Sequence, residues 1–385
     1  MTRPAHIAFI WQVMGVLKKI ILFLTVFCIM TVSASALESS DVSAECAVLI
    51  SQQTGEVIFQ KNAYKHHSMA STTKIMTSLL AAQSGKLHDE ITVSKEMIQV
   101  EGTSMGLLPG DSVSLYELIY GMLLPSGNDA ANVTAYYLGG NVENFVKKMN
   151  IKAKEIGMEN TSFVTPSGLD DENHYSTAYD MALLGRYAVN DPVFRSVCSS
   201  KKATLSYGNP PYKRTLYNHN RLLESYKYAF GIKTGFTKKS GRCLVSYAEK
   251  DGTGLVAVTL NAPNDWNDHK LMLDYGFSRL KRHVFKPSIP ETLPVVGGNV
   301  ENLKLCCEQF EYDSLEQRNL VQKVVIDKFA YAPIKKGDRL GEVKLYLGGK
   351  YIGSTDICAA ENIDVLEQKQ EEKSFFQRIK ERFLK

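Results

Sequence analysis

The sequence predicts an α+β protein, with a mostly antiparallel sheet covered by helices and a small all-β module after it. Three observations predict it. Strand-like runs lie at both ends of the first 286 residues, "AECAVLI" and "EVIFQK" early, then "FGIKTGF", "RCLVSYAEK" and "GLVAVTLNA" after Ala229. Helical periodicity fills the stretch between them. Turns at Thr54-Gly55 and Asp251-Gly252 separate consecutive strand-like runs, which is a hairpin signal and makes those strands antiparallel.

The first 36 residues stand outside this fold. Lys18 and Lys19 precede an apolar run from Ile20 to Val32, and "SASA" ends at Ala36. Basic residues, a short apolar run and small residues at its exit predict a signal peptide over residues 1–36 and hence export. An uncleaved anchor helix is the alternative, disfavoured by the short run and the small-residue exit. Met14 is a second possible start. Cleavage would leave 349 of 385 residues and remove three basic residues and no acidic one, taking the net charge from +4 to +1.

Residues 37–286 are read as the catalytic domain. After the first two strands, "MASTTKIMTSLL" starts a helix whose Ile75, Met76, Leu79 and Leu80 are spaced to face a core. "SLYELIYGMLL" is a second helix that halts at Pro125, and "PSGN" turns the chain into a third, with Asp129 at its start. This gives a helical subdomain. Residues 157–184 are loop-rich, then helical around "AYDMALLGRYA"; "DHKLMLDYGFSRL" closes the domain near Lys281.

Pro287, Pro290 and Pro294 mark a boundary, and residues 287–362 carry short strand-like pieces with Gly-rich turns, a small β-rich domain. In the tail, residues 363–385, Phe375, Phe376, Ile379 and Phe383 share one helical face with basic residues on the others. Such a stripe suits an amphipathic helix lying in a membrane surface, against the plainer reading of a helix packed on protein.

Composition narrows the function. A net charge of +4 and the lack of basic-aromatic interleaving give no reason for a nucleic-acid partner. The seven cysteines show no C-x-x-C pair and no His/Cys cluster, so a metal site is not expected. Buried thiols are the preferred reading of the six that remain after Cys28, although adjacent Cys306 and Cys307 have no explanation at this level.

Ser71 and Lys74 are three residues apart, so a helix would put them on one face. A serine hydroxyl needs something to take its proton, and a neutral lysine amine can do so. The spacing alone is weak: Ser199–Lys202 and Ser278–Lys281 repeat it, and a polar helix start beside a solvated lysine is the plainer account. Two later elements change this. "SGN" at Ser126–Asn128 sits at the bend after Pro125, and "KTG" at Lys233–Gly235 starts a strand in which Gly235 lets a ligand approach the backbone. A look-alike "KSG" at Lys239–Gly241 shows how little one tripeptide proves. The ordered set S-x-x-K, S-x-N, K-T-G, with 55 residues from Ser71 to Ser126 and 107 from there to Lys233, is far more specific.

On these motifs the chain resembles the D-alanyl-D-alanine carboxypeptidases, the low-molecular-mass penicillin-binding proteins. "STTKIMT", "LLPSGNDAA", "NTSFVTPSGLDDENHYSTAYDMA", "YNHNRLL", "GIKTGFT" and "DYGF" carry the resemblance from about Glu45 to Arg282, and it continues more weakly to the tail. It implies a β-lactamase/transpeptidase-like catalytic domain. It also implies roles. Ser71 would attack the carbonyl between two terminal D-alanines of a peptidoglycan stem peptide, with Lys74 as base and Ser126 relaying a proton to the leaving amine. Asn128 would hold Lys74 and the substrate amide. Lys233 and Thr234 would bind the terminal carboxylate on the strand containing Gly235, and the backbone N–H groups of Ser71 and Phe236 would form the oxyanion hole. β-Lactams would acylate Ser71, no cofactor or metal is implied, and the enzyme would work at the outer face of the cytoplasmic membrane or in the cell wall. The resemblance extends to sporulation-type relatives and does not separate them from vegetative ones.

Other polar residues carry less. His174 and His219 are read as structural, and Asp170, Asp171 and Glu172 as a solvated acidic loop rather than a cation site. The cation that such enzymes often carry after the last strand of the catalytic domain has no arginine equivalent in "NAPNDWNDHK", leaving His269 or Lys270 as substitutes or the contact missing. Among rivals, a β-lactamase is disfavoured because no Glu-x-x-x-Asn lies between Asn128 and Lys233. An endopeptidase or transpeptidase shares the same motifs. A non-catalytic peptidoglycan-binding module would not need both Ser71 and Lys74.

Overall fold

A computed structural model describes residues 36–367. Residues 1–35 of the predicted signal peptide and residues 368–385 of the predicted tail lie outside the described residues; the start of the predicted tail instead joins the β-rich part, Ile363 pairing with Ile334 and the Leu366 N–H donating to the Gly297 carbonyl.

The run "CAVLIS" is apolar throughout, which suits a strand covered on both faces. It forms β1 (Cys46–Ser51), every residue of it buried. It turns through Gly55 into β2 (Val57–Lys61). Two short strands, β3 (Glu90–Thr92) and β4 (Ser112–Ser114), pair within the helical part. A hairpin of β5 (Lys202–Gly208) and β6 (Pro211–Tyr217) follows, which the sequence reading had passed over. The remaining strands of the domain are β7 (Ala229–Thr237), β8 (Gly241–Lys250) and β9 (Thr253–Leu260). The main sheet runs β2-β1-β9-β8-β7, antiparallel at every junction, as predicted. β7 is therefore an edge strand, and its free edge is available to a ligand.

Helices cover both faces of this sheet. Ala178–Ala188 and Asp265–Arg279 both pack on β9 and β8, and the helix Lys74–Ala82 is enclosed between the sheet and the helical part. That helix is buried all round, Leu80 excepted, and even Thr77 and Ser78 are inside. The expected apolar stripe is thus wider than a single face. Its polar residues find partners: Thr77 Oγ1 donates to the Pro166 carbonyl at 2.6 Å. The helical part adds Leu115–Leu123, Asn128–Gly139 and Val142–Ile156. Ser114 opens the first of these with a capping box to Glu117, each reaching the other's backbone N–H.

From Lys281 the chain is all-β. β10 (Lys281–Phe285) pairs with β13 (Phe310–Ser314). A six-stranded sheet has the order β14-β16-β17-β12-β11-β15, from β14 (Val321–Ile326), β16 (Arg339–Leu347), β17 (Lys350–Ala359), β12 (Asn302–Cys307), β11 (Thr292–Val296) and β15 (Ala330–Tyr331). The expected fold class is borne out here. The β-rich part is pinned to the turn between β1 and β2: Gln53 bonds the backbone of Glu311 and Asp313, and Glu56 accepts from Ser314, Leu315 and Arg318.

Candidate active site

Ser71 lies in a single tight turn, Ala70–Thr73, that runs straight into the helix Lys74–Ala82. Ala70 has φ of +46°, a left-handed conformation that alanine adopts only when its surroundings impose it. The surroundings are visible. Thr73 Oγ1 donates to the Ala70 carbonyl at 2.8 Å, and Thr72 Oγ1 to the Met69 carbonyl at 2.6 Å. Behind them His174 Nδ1 accepts the Val164 N–H at 2.9 Å, so its proton sits on Nε2, 2.8 Å from Thr73 Oγ1. Burial pushes His174 down to about 4, keeping the ring neutral. Its structural role holds, and it is exercised directly behind the nucleophile.

Lys74 Nζ lies 2.9 Å from Ser71 Oγ, 2.6 Å from Asn128 Oδ1 and 2.7 Å from the Ser167 carbonyl. Counting protons gives these three contacts meaning. A neutral amine has two N–H donors and one lone pair. Two neighbours are carbonyl oxygens that can only accept, so both N–H groups go to them and the lone pair is left facing the Ser71 hydroxyl. Burial first, and then the charge of Lys233, hold the Lys74 amine well below its ordinary value. The arrangement can therefore strip a proton from Ser71.

"PSGN" forms the predicted bend. Ser126 has φ of +66° and is almost wholly buried, with its carbonyl accepting from Thr103 Oγ1. The helix begins at Asn128 rather than Asp129, with Gly127 before it. Asp129 instead gathers the opposite wall: its carboxylate accepts from Ser104 Oγ and from the N–H groups of Met105, Gly106 and Leu107. Asn128 donates through Nδ2 to the Glu101 carbonyl at 2.6 Å, which fixes its Oδ1 on Lys74.

The third element approaches from β7. A side chain at Gly235 would come to 3.0 Å from the Ser71 nitrogen and 3.1 Å from the Thr72 nitrogen, so the glycine lets strand and turn approach this closely without either giving way. Lys233 is buried, donates to the Thr234 carbonyl at 2.9 Å, and is lowered to about 7 by burial. Thr237 Oγ1 and Ser240 Oγ bond Asp170, so this acidic residue ties the end of β7 to the loop carrying Ser167. Asp170 is exposed, as a solvated loop residue would be, and in addition anchors these two hydroxyls.

Ser71, Ser126, Asn128, Thr234, Gly235 and Phe236 line one cleft of about 770 Å³, with Lys74 and Lys233 buried behind its wall. The structure thus brings all eight sequence-selected residues together. The look-alikes fall away: Ser199, half-buried, and Ser278, exposed, spend their hydroxyls on the Ser196 and Tyr275 carbonyls, while Lys202 and Lys281 begin strands. Sequence reasoning missed the Ser167 carbonyl, Gly168, and a pair at the cleft's rim. Arg242, across from Phe236 on β8, makes a forked bond to Asp265 and lies over the Trp266 ring at 5.4 Å. His269 is not a cleft cation. It is fully buried between Ser246 Oγ and Thr259 Oγ1 and pushed down to about 3 by burial. His219, expected to be structural, is a cleft-wall residue. Among the described residues no group of metal ligands occurs and no helix is long and apolar enough to cross a membrane.

The profile of the D-alanyl-D-alanine carboxypeptidase family matches residues 30–264, and that of the penicillin-binding protein 5 C-terminal domain matches residues 281–365. D-alanyl-D-alanine carboxypeptidase DacF of Bacillus subtilis is 32% identical over 336 residues, covering 83% of this chain and 86% of its own length. DacC of Escherichia coli is 32% identical over 366 residues, covering 89% of this chain and 88% of its own. The structure of penicillin binding protein 5 from Haemophilus influenzae superposes with a TM-score of 0.62 at 28% identity, over 85% of this chain and 99% of that one.

Proposed function

The chain belongs to the D-alanyl-D-alanine carboxypeptidase family, and on that footing we propose how its own residues perform the reaction. It is a serine DD-carboxypeptidase of the penicillin-binding type, acting on peptidoglycan stems that end in D-alanyl-D-alanine. Ser71 attacks the carbonyl between the two terminal D-alanines, and its proton passes to the Lys74 lone pair. The tetrahedral oxygen would lie against the N–H groups of Ser71 and Phe236, a reading supported by the close approach of β7 at Gly235 to the Ser71 nitrogen. Ser126 relays a proton to the departing D-alanine. Asn128 orients Lys74 and the substrate amide, while Lys233 and Thr234 take the terminal carboxylate. Water then hydrolyses the ester. The observation that carries this reading is the lone pair of Lys74 left facing Ser71 once Asn128 and Ser167 have taken its protons.

Such a substrate lies outside the cytoplasm, which fits export by residues 1–36, and the tail beyond residue 367 would rest the enzyme on the membrane surface. Deleting residues 369–385 should abolish liposome binding and leave acylation intact.

Penicillin with mass spectrometry tests the nucleophile: the adduct should fall on the Ser71 peptide, and an adduct on Ser199 or Ser278, or none, would sink the assignment. A pentapeptide substrate should then release free D-alanine, whereas an endopeptidase would instead cut a cross-link.

A further inference from the structure

On the six-stranded sheet of the β-rich part, Cys306 of β12 stands directly opposite Cys358 of β17 in antiparallel register. Residues so opposed have Cα atoms about 4.5–5.5 Å apart and side chains on the same face. That interval falls inside the range of about 4.4–6.8 Å that a disulfide spans. The Cys306 thiol is already turned across the ladder, 3.4 Å from the Cys358 carbonyl. Cys306 is exposed and Cys358 half-buried, so a reagent in solvent can reach the pair.

The neighbouring thiols are excluded by the same geometry. Cys307 follows Cys306 along an extended strand and so points to the other face. There it faces Ile357, with its sulfur near Thr355 Oγ1. Cys46, Cys198 and Cys243 are buried in the catalytic part.

We propose that Cys306 and Cys358 form a cross-strand disulfide site, closed by a small-molecule or protein disulfide acting as oxidant. The exposed Cys306 thiolate attacks one sulfur of that disulfide, forming a mixed disulfide and expelling one thiolate. The Cys358 thiolate then attacks Cys306 Sγ and expels the second. Two electrons leave the cysteine pair and reduce the oxidant to two thiols, which take up the two protons. The new bond closes the chain between β12 and β17. That loop includes β13, whose Glu311, Asp313 and Ser314 meet Gln53 and Glu56 of the catalytic part. Oxidation thus locks the last strand before the tail onto the sheet, away from the cleft.

The full chain, reduced and then treated with excess oxidised glutathione, is blocked with N-ethylmaleimide and digested without reductant. Mass spectrometry should find one peptide pair joined through Cys306 and Cys358. It should be about 2 Da lighter than the two reduced peptides together, since two hydrogens leave, and be lost on adding dithiothreitol. C307S should keep the link; C306S and C358S should each lose it. Penicillin acylation, which touches none of these cysteines, reports that each variant is folded. Mixed glutathione adducts alone, a link through Cys307, or two alkylated thiols at Cys306 and Cys358 would each overturn the proposal.

Discussion

Lys233 stands close enough to Lys74 for its charge to add to burial in lowering the Lys74 amine, and no carboxylate is hydrogen-bonded to either lysine among the described residues. The two amines are needed in opposite states. Lys74 acts as a base only when neutral, whereas Lys233 attracts a carboxylate only when charged. Lys233 is lowered to about 7, so its charge in the free enzyme is lost as pH rises through that value. The kcat/KM for D-alanine release should therefore be bell-shaped, with the acid limb from Lys74 and the alkaline limb from Lys233. Arginine stays charged, so K233R should lose the alkaline limb even where its overall rate is lower. A K233R profile that still falls above neutral pH would contradict the assignment.

The Lys74 lone pair can be removed while a long basic side chain is kept. K74R has most of the volume but puts a permanent positive charge where the neutral amine stood and cannot release its proton at any working pH. Acylation by penicillin, followed by stopped-flow or by labelled adduct, should slow by about 10²–10⁴-fold, the usual range for a positioned base. A K74R rate within a factor of a few of the parent would mean that another group takes the Ser71 proton.

This pair also marks what the sequence could and could not reveal. Ser71, Lys74, Asn128 and Lys233 are chemically distinctive side chains in a distinctive order, so a motif finds them. The Ser167 carbonyl completes the count at Lys74, yet any residue could supply a backbone carbonyl, and nothing in "TPSGLD" announces it. The main sheet was legible because its strands are long, apolar and joined by glycine turns. β5 and β6 were not, because β6 is mostly exposed and polar and gives no apolar run to pair with the weak alternation of β5. From sequence alone His269 stays open as one substitute for the missing cation, because it follows the last strand of the domain. The buried positions His269, Met272, Leu273 and Gly276 form one helical face, and that spacing puts the imidazole in the core rather than in the cleft.

Two buried neutral histidines give the fold an acid limit. The ordinary value for His174 is 6.5 and its folded value about 4, so between these the unfolded chain binds a proton that the folded chain does not. Stability should fall as pH drops from about 6.5 to 4, and His269, pushed down to about 3, extends the loss further. H269Q offers one donor and one acceptor to Ser246 and Thr259 without a titrating ring. Thermal melts from pH 7.5 to 4 should show a shallower acid decline for H269Q than for the parent. Parallel declines would remove His269 from the account.

Gly168 is the backbone position on which the nucleophile turn leans most heavily. It has φ of +88°, and a side-chain carbon there would fall 1.9 Å from the Ala70 carbonyl oxygen and 2.8 Å from Thr73 Oγ1. Gly140 has a similar φ of +78° but nothing within 4 Å, so it separates backbone strain from collision. G140A should lose only the left-handed backbone preference, about 1–2 kcal/mol. G168A carries that loss and must also push the Ala70–Thr73 turn away, a further penalty of about 1–3 kcal/mol by comparison with overpacked cores. Because the neighbouring Ser167 carbonyl holds Lys74, the displacement should reach the chemistry as well. G168A should melt lower than G140A and acylate more slowly, while G140A acylates at the parent rate. Equal melting losses in the two variants, with acylation unchanged in both, would show that the turn tolerates the added carbon and that Ser71 is positioned by other contacts.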